Sequence, residues 1–183
     1  LRWEVGDSAF FAGTRSYMAD ADLCYGFAYT PDFQDAIEAA SGQDLDGFFD
    51  RYVYQEGYPI LVTRWNRVND GELRIKIDQT TSHPSVSFFP LKIPFRAIGP
   101  SGDSIFTVNL SSLNQEWIID LGFRVDELQF DPDYWLLVRN TLVQGTHVDL
   151  SSVQLYPNPS ANSLSVFMQD RKLDSVELID LQG

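Results

Sequence analysis

The first 57 residues carry apolar side chains at the 3.6-residue spacing of α-helices. The clearest stripe leaves Asp46, Asp50 and Arg51 on the opposite, polar face. Its members are Leu45, Phe48, Phe49, Tyr52 and Val53. Upstream, Thr30-Pro31 predicts a helix start with Thr30 as the cap, because proline is favoured at the first helical position. We therefore predict a small group of helices over residues 1–57.

Over residues 58–145 the spacing of the apolar side chains changes to two residues, the period of a β-strand. Leu73, Ile75 and Ile77 alternate with charged residues, which predicts a strand with one face in water. Further alternating runs predict strands over residues 60–65, 91–97, 104–110, 116–121 and 125–130. Short strands separated by turn residues are typical of an antiparallel β-sandwich with about six to eight strands.

Residues 146–183 open with a polar joint, 146–152, and contain three more strand-like pieces, over 153–156, 163–167 and 176–181. Such small isolated sheets are only marginally stable. We therefore expect a truncated second β domain here. The predicted fold class is α+β in a multi-domain fragment, with helices over 1–57, an antiparallel β-sandwich over 58–145 and a partial β domain over 146–183.

The charge is strongly acidic, with 26 acidic and 13 basic residues and a net charge of −13. A nucleic-acid-binding protein is expected to present a basic face, and this sequence has none, so nucleic acid is not an expected partner. No apolar run is long enough for a transmembrane helix. Cys24 is the only cysteine, which excludes an intrachain disulfide and a cysteine-based metal site.

Few residues suggest catalysis. The two histidines, His83 and His147, are not part of an HExxH motif, and we interpret both as solvated or locally bonded. A Ser/His/Asp triad depends on geometry alone, so residue order does not exclude one. Cys24 has no nearby base in the sequence and is interpreted as a bystander.

Two other residue classes leave alternatives open. The carboxylate pairs are interpreted as caps or turns, with a calcium site as the alternative. They are Asp20/Asp22, Asp44/Asp46 and Asp131/Asp133. Three tryptophans, Trp65, Trp117 and Trp135, lie in strand-like segments, where core packing is the first interpretation and stacking on a sugar the second.

Residues 1–145 carry an ordered series of motifs. It runs through LRWEVGDSAFFAGTRSYM, then TPDFQDAIEAASGQDLDGFFDRYVYQEGYPIL, then LRIKIDQ and DELQFDPDYWLL. This series resembles the C-terminal part of aminopeptidase N-like zinc metallopeptidases, the gluzincins. The resemblance implies a β-sandwich that supports a catalytic domain, and a parent protein that uses zinc to cleave peptide substrates.

The resemblance implies that the family's HExxH helix, third zinc ligand and catalytic tyrosine lie upstream of Leu1. We therefore expect this chain not to carry the family's chemistry. The resemblance therefore implies no catalytic, cofactor-binding or metal-binding residue here, and no cofactor in this chain. It implies an upstream catalytic domain as the chief partner, with zinc and the peptide substrate belonging to the parent.

A second resemblance lies in LYPNPSANSLSV and DSVELIDLQG. These stretches look like the start of the C-terminal sorting domain of type IX secretion substrates. The motif residues are Tyr156, Pro157, Asn158, Pro159, Asp180 and Gly183. Pro157 and Pro159 have fixed φ and no N–H donor, so the motif suits a rigid strand entry. The resemblance implies the secretion machinery as a partner, and a protein secreted or held at the outer surface of a Gram-negative bacterium.

The alternative function is a non-catalytic cell-surface module that binds glycans or proteins. It would need a shallow face with two exposed aromatic residues beside carboxylates. The fragment hypothesis instead predicts exposed apolar surface on the helices, which also offers a route to self-association. The residues expected to contribute are Trp3, Val5, Phe10, Phe11 and Tyr17.

Overall fold

The structure is a computed structural model that describes residues 1–144, 153–156 and 165–168. The chain forms two compact units, Leu1–Gly145 and Thr146–Gly183. The first unit combines helices with two sheets, so the predicted α+β class is confirmed. No described helix has both the length and the apolar character that a membrane crossing requires.

Four helices begin the first unit. They are α1 (Arg2–Val5), α2 (Asp7–Ala19), α3 (Thr30–Ser41) and α4 (Asp46–Phe49), and a π-helical turn, Asp50–Tyr54, continues α4. We call residues 1–54 the helical layer. Ile37, Leu45 and Phe49 form its small buried core. Gly13 is the buried residue of α2, and a Cβ there would come within 2.9 Å of the Ala36 carbonyl oxygen. The absence of a side chain at Gly13 thus allows α2 and α3 to pack closely.

The ends of α3 differ slightly from the prediction. Its cap is Tyr29, one residue before the expected Thr30, and Asp32 accepts the Tyr29 backbone N–H at 2.7 Å. Thr30 is the first helical residue, so proline occupies the second position. At the other end, Gly42 has φ +68° and takes the left-handed conformation that stops the helix.

Seven strands follow within the first 144 residues. They are β1 (Pro59–Arg67), β2 (Glu72–Thr81), β3 (Leu91–Gly99), β4 (Gly102–Leu110), β5 (Asn114–Asp120), β6 (Glu127–Phe130) and β7 (Arg139–Gln144). One sheet has the order β5-β2-β1-β7 and the other β4-β3-β6. The inward residues of both sheets share one hydrophobic cluster, which includes Leu61, Ile75, Ile93 and Phe95. The two sheets therefore form a β-sandwich.

The sandwich departs from the prediction in two ways. The sheets are mostly antiparallel, but β7 runs parallel to β1, with Ile60 opposite Arg139. The sequence pattern also missed β7, because its residues lie on an edge and are mostly exposed, without a clear apolar face. The last predicted strand, over 125–130, is shorter than expected and begins at Glu127.

The second unit is described only through the backbone of one antiparallel strand pair, β8 (Val153–Tyr156) and β9 (Ser165–Met168). Tyr156 pairs with Ser165 at one end. The strand predicted over 163–167 thus begins two residues later. The strand predicted over 176–181 lies outside the described residues.

Candidate functional site

Trp3 joins the helical layer to the sandwich. Its indole N–H donates to the Lys92 backbone oxygen at 2.7 Å, and its ring stacks on Trp135 with centroids 5.7 Å apart. The Lys92 ammonium lies 5.4 Å from the centre of the Trp3 ring, and the Arg2 guanidinium lies 5.0 Å from the Trp135 ring. Cation–π contacts of this kind stabilise an aromatic stack that is only half buried. This junction holds α1 against the start of β3 and the segment after β6.

The π-helical turn sets the directions of Arg51 and Tyr52. The Gln55 N–H bonds to the Asp50 carbonyl oxygen at 2.9 Å, five residues back rather than four. This added residue changes which side chains face inward. Val53, predicted on the apolar face, is exposed, and Arg51, predicted on the polar face, is half buried. The Arg51 Nε atom is buried and has no hydrogen-bond partner among the described residues.

A cavity of about 350 Å³ lies where the helical layer meets the sandwich. We call it the junction cavity. The helical layer lines it with Leu1, Trp3, Glu4, Phe48, Arg51, Tyr52 and Val53. The sandwich side supplies two segments, Pro90 to Lys92 and Trp135 to Leu137. Its volume is at the lower end of the range for small-ligand pockets.

Two buried polar side chains hold the sandwich side of this cavity. Gln79, at the end of β2, donates to the Phe89 carbonyl oxygen at 2.8 Å and accepts the Phe89 N–H at 2.7 Å. Asp131 accepts the N–H groups of Trp135 and Leu136, both at 2.9 Å. The interpretation of Asp131-Pro132-Asp133 as a turn missed that this carboxylate is buried. The positions of both cavity segments thus depend on side chains beneath them.

Tyr52 is among the residues that line the junction cavity. Burial raises the pKa of this phenol to about 12, the Arg51 guanidinium lowers it and the Glu4 carboxylate raises it. The hydroxyl therefore keeps its proton at neutral pH and can donate a hydrogen bond. The ring packs against Phe89 and Phe48, with centroids 5.2 and 4.9 Å away.

His83 takes part in a group that resembles a Ser–His–Glu relay. Its Nδ1 lies 2.9 Å from Ser85 Oγ, and its Nε2 lies 3.2 Å from Glu56 Oε2. However, the Ser85 hydroxyl donates to the Glu56 carbonyl oxygen at 2.8 Å and is not free to act as a nucleophile. The bonds fasten the loop after β2 to the residues before β1. His83 is thus an exposed, locally bonded histidine, while His147 lies outside the described residues.

Three carboxylates, Glu38, Asp44 and Asp46, lie together between α3 and α4, with oxygens within 4.8 Å of one another. They already accept hydrogen bonds: Glu38 from the Leu45 N–H at 2.7 Å, and Asp46 from Gln34 at 2.7 Å. These bonds explain the cluster as support for the turn. An all-carboxylate set lacks the histidine nitrogens typical of catalytic zinc sites, so it does not fit the zinc implied for the parent.

An exposed aromatic segment connects α2 to α3. Tyr25 and Phe27 are almost fully exposed, and Met18 and Tyr29 are exposed by 71% each. Tyr25 also has φ +68°, which is unusual for a residue other than glycine. A neighbouring groove of about 420 Å³ is lined by four carboxylates and has Tyr17 in its wall. The carboxylates are Asp20, Asp22, Asp32 and Asp35. We call this region the acidic aromatic surface.

Of the predicted sorting-motif residues, the structure describes only Tyr156. Tyr156 ends β8, whereas Pro157, Asn158, Pro159, Asp180 and Gly183 lie outside the described residues. Cys24 is exposed, within the acidic aromatic surface. Trp65 is a core residue, and Trp117 is half buried at the edge of the same cluster. Core packing is therefore correct for Trp65.

Comparisons with known proteins add no family assignment. No protein-family model matches the chain, and no curated protein matches it significantly. The structure itself defines an α+β protein in which helices pack on a β-sandwich around the junction cavity.

Proposed function

We propose that this chain is the non-catalytic C-terminal portion of a secreted, zinc-dependent aminopeptidase-like protein. In this proposal the β-sandwich supports a catalytic domain, and the segment around Tyr156 directs secretion. Zinc, the peptide substrate and the catalytic groups belong to the parent protein. The proposal rests first on the two sequence resemblances, and the architecture of residues 1–144 adds a physical argument.

The observation that carries the proposal is the unequal packing of the helical layer. Trp3 and Tyr52 attach it firmly to the sandwich. Elsewhere, Phe11, Met18 and the acidic aromatic surface leave large apolar side chains in water. Contiguous exposed apolar groups mark interaction surfaces, whereas single ones are ordinary. A layer that is anchored on the sandwich and elsewhere exposes aromatic side chains among carboxylates is suited to contacting a further domain.

The expected exposed surface lies farther along the chain than the sequence suggested. Of the five residues named for it, only Phe11 is exposed, and Trp3, Val5, Phe10 and Tyr17 are half buried. Trp3 is covered because it stacks on Trp135, and Tyr17 because it packs against Phe33 at 5.3 Å. The larger exposure is at the end of α2 and in the acidic aromatic surface. Self-association through these faces stays a prediction.

Maleimide labelling of Cys24 tests the proposal directly. Cys24 is exposed among the residues that we expect an upstream domain to cover. In the longer gene product, labelling should be slower than in the 183-residue chain by about tenfold or more, because a stable interface excludes solvent from its centre. The measurement is the labelling rate by mass spectrometry.

The matched control is Asn109→Cys in a Cys24→Ser background, since Asn109 is exposed on β4 of the sandwich. Its labelling rate should be similar in both proteins. Equal rates at Cys24 in the two proteins, or a gene that encodes no upstream domain, would contradict the proposal.

A second candidate, the glycan- or protein-binding module, is favoured by the acidic aromatic surface. Planar aromatic rings beside carboxylates are the arrangement that stacks on and hydrogen-bonds sugars. The aromatic groups are Tyr25, Phe27 and Tyr29 rather than the tryptophans considered from the sequence. Glycan-array binding that is lost in Tyr25→Ala and kept in Tyr58→Ala would favour this candidate over the first.

A further inference from the structure

We propose that the junction cavity binds a carboxylate attached to an apolar group, with Arg51 as the main anion-binding residue. This inference goes beyond the proposed function and does not depend on it. It follows from the charges in the cavity, from its walls and from the local backbone.

The charged side chains that line the junction cavity have a net positive charge, which is unusual in this acidic protein. Arg51 and Lys92 line it with a single acidic residue, Glu4, although the chain as a whole has a net charge of −13. None of these three side chains forms an ion pair with another described residue. By contrast, the neighbouring Arg2 is paired with Asp7 at 2.7 Å. The lining side chains therefore carry an excess of one positive charge, and in the 183-residue chain the Leu1 N-terminal ammonium, which also lines the cavity, adds a second.

Arg51 is the best-placed donor. Its Nε is buried without an acceptor among the described residues, and an unsatisfied buried donor is energetically costly. Its terminal nitrogens rest against Gly47, where an added Cβ would come within 3.0 Å of both. A bound carboxylate can accept two parallel hydrogen bonds from the terminal nitrogens of a guanidinium, whereas the Arg51 Nε itself is closed to solvent.

The other walls define the remainder of the ligand. Trp3, Phe48 and Trp135 present flat apolar surface, and Leu91 and Leu136 add aliphatic surface. Tyr52, which also lines the cavity, carries a hydroxyl that stays protonated at neutral pH. A cation would be disfavoured by Arg51 and Lys92. An apolar body with one carboxylate matches the chemistry of all these groups.

The backbone at the site supports a binding function. Arg51 and Tyr52 lie in the π-helical turn Asp50–Tyr54. Such turns are uncommon and occur frequently at functional sites, because the added residue redirects side chains. An uninterrupted α-helix would place Arg51 on the solvent-facing side, as its sequence position predicts.

The test uses two probes with the 183-residue chain, titrated by isothermal calorimetry. The first is 3-phenylpropionate, compared with 3-phenylpropanamide. The second is acetyl-Gly-Gly-Phe with a free C-terminal carboxylate, compared with its C-terminal amide. We expect each acid to bind at least about tenfold more tightly than its amide. Tighter binding of the peptide would identify a polypeptide C-terminus as the ligand source, and tighter binding of phenylpropionate a small metabolite.

Arg51→Gln should weaken binding of both acids about tenfold or more, whereas Arg15→Gln should leave it unchanged, since Arg15 is exposed on α2. The comparison of acids with amides in the unaltered chain does not depend on whether the variant folds. Equal affinity for acid and amide, unchanged affinity in a folded Arg51→Gln variant, or no binding by either acid at about 10 mM would overturn the proposal.

Discussion

Asp131→Ala is expected to lower the free energy of unfolding by about 2 to 4 kcal/mol, because two backbone N–H groups lose a charged acceptor. Asp131 is only 6% exposed and accepts from Trp135 and Leu136 at 2.9 Å. It also has φ +44°, a conformation that aspartate tolerates better than alanine. Urea denaturation monitored by circular dichroism measures the change.

The control for this substitution is Asp133→Ala, two residues away and exposed. Its effect should stay within about 0.5 kcal/mol, as is usual for surface positions. The Asp131 variant should also alter tryptophan fluorescence, because Trp135 loses a bond that holds its stack on Trp3. Equal stability of the two variants would show that Asp131 does not organise this segment.

Gln79→Leu should have an effect of similar size, about 2 to 4 kcal/mol, because it leaves both backbone groups of Phe89 without their partner. Gln79 is 5% exposed, and its amide makes both bonds to Phe89. Gln43→Leu is the matched control, since Gln43 is exposed in the turn after α3. Urea midpoints of the two variants provide the comparison. A loss below about 0.5 kcal/mol in Gln79→Leu would contradict this role.

Gln79→Glu adds a pH dependence to the same test. The protonated carboxyl keeps an acceptor and one donor, whereas the ionised form has no donor for the Phe89 carbonyl oxygen. Burial therefore raises the pKa of the introduced carboxyl in the folded state. The carboxyl stabilises the fold fully at pH values below the pKa it has in the unfolded chain, about 4.3. This stabilisation is lost as pH rises through the higher pKa that the carboxyl has in the folded chain. Stability relative to the unaltered chain should fall from pH 4 towards pH 7.

Apolar periodicity predicted the fold well where it was strong. Leu73, Ile75 and Ile77 are all fully buried, and the helical stripe buries Leu45 and Phe49 but leaves Val53 exposed. The parallel edge strand β7 could not be predicted in this way, because its partner, β1, lies more than seventy residues away in the chain. The π-helical turn was also missed; within it, Tyr52 packs against Phe89, a residue distant in the chain.

The candidate site was largely hidden in the sequence. Arg51 was assigned to a polar face, and Lys92 belongs to an alternating strand, so nothing suggested that they share a cavity. Gln79 and Asp131 did lie in the stretches LRIKIDQ and DELQFDPDYWLL that carry the peptidase resemblance. The hydrogen bonds of these two side chains explain why each position has a polar residue: each side chain supports a loop, and neither needs a catalytic role.

We propose above all that this chain supports a zinc peptidase domain encoded upstream. Reading the coding sequence before the Leu1 codon tests it most directly. The account predicts an HExxH motif, a downstream glutamate at helical spacing as the third zinc ligand, and a later tyrosine before Leu1. An upstream sequence without these ligands would contradict the peptidase parent and leave the binding module as the better explanation of the fold.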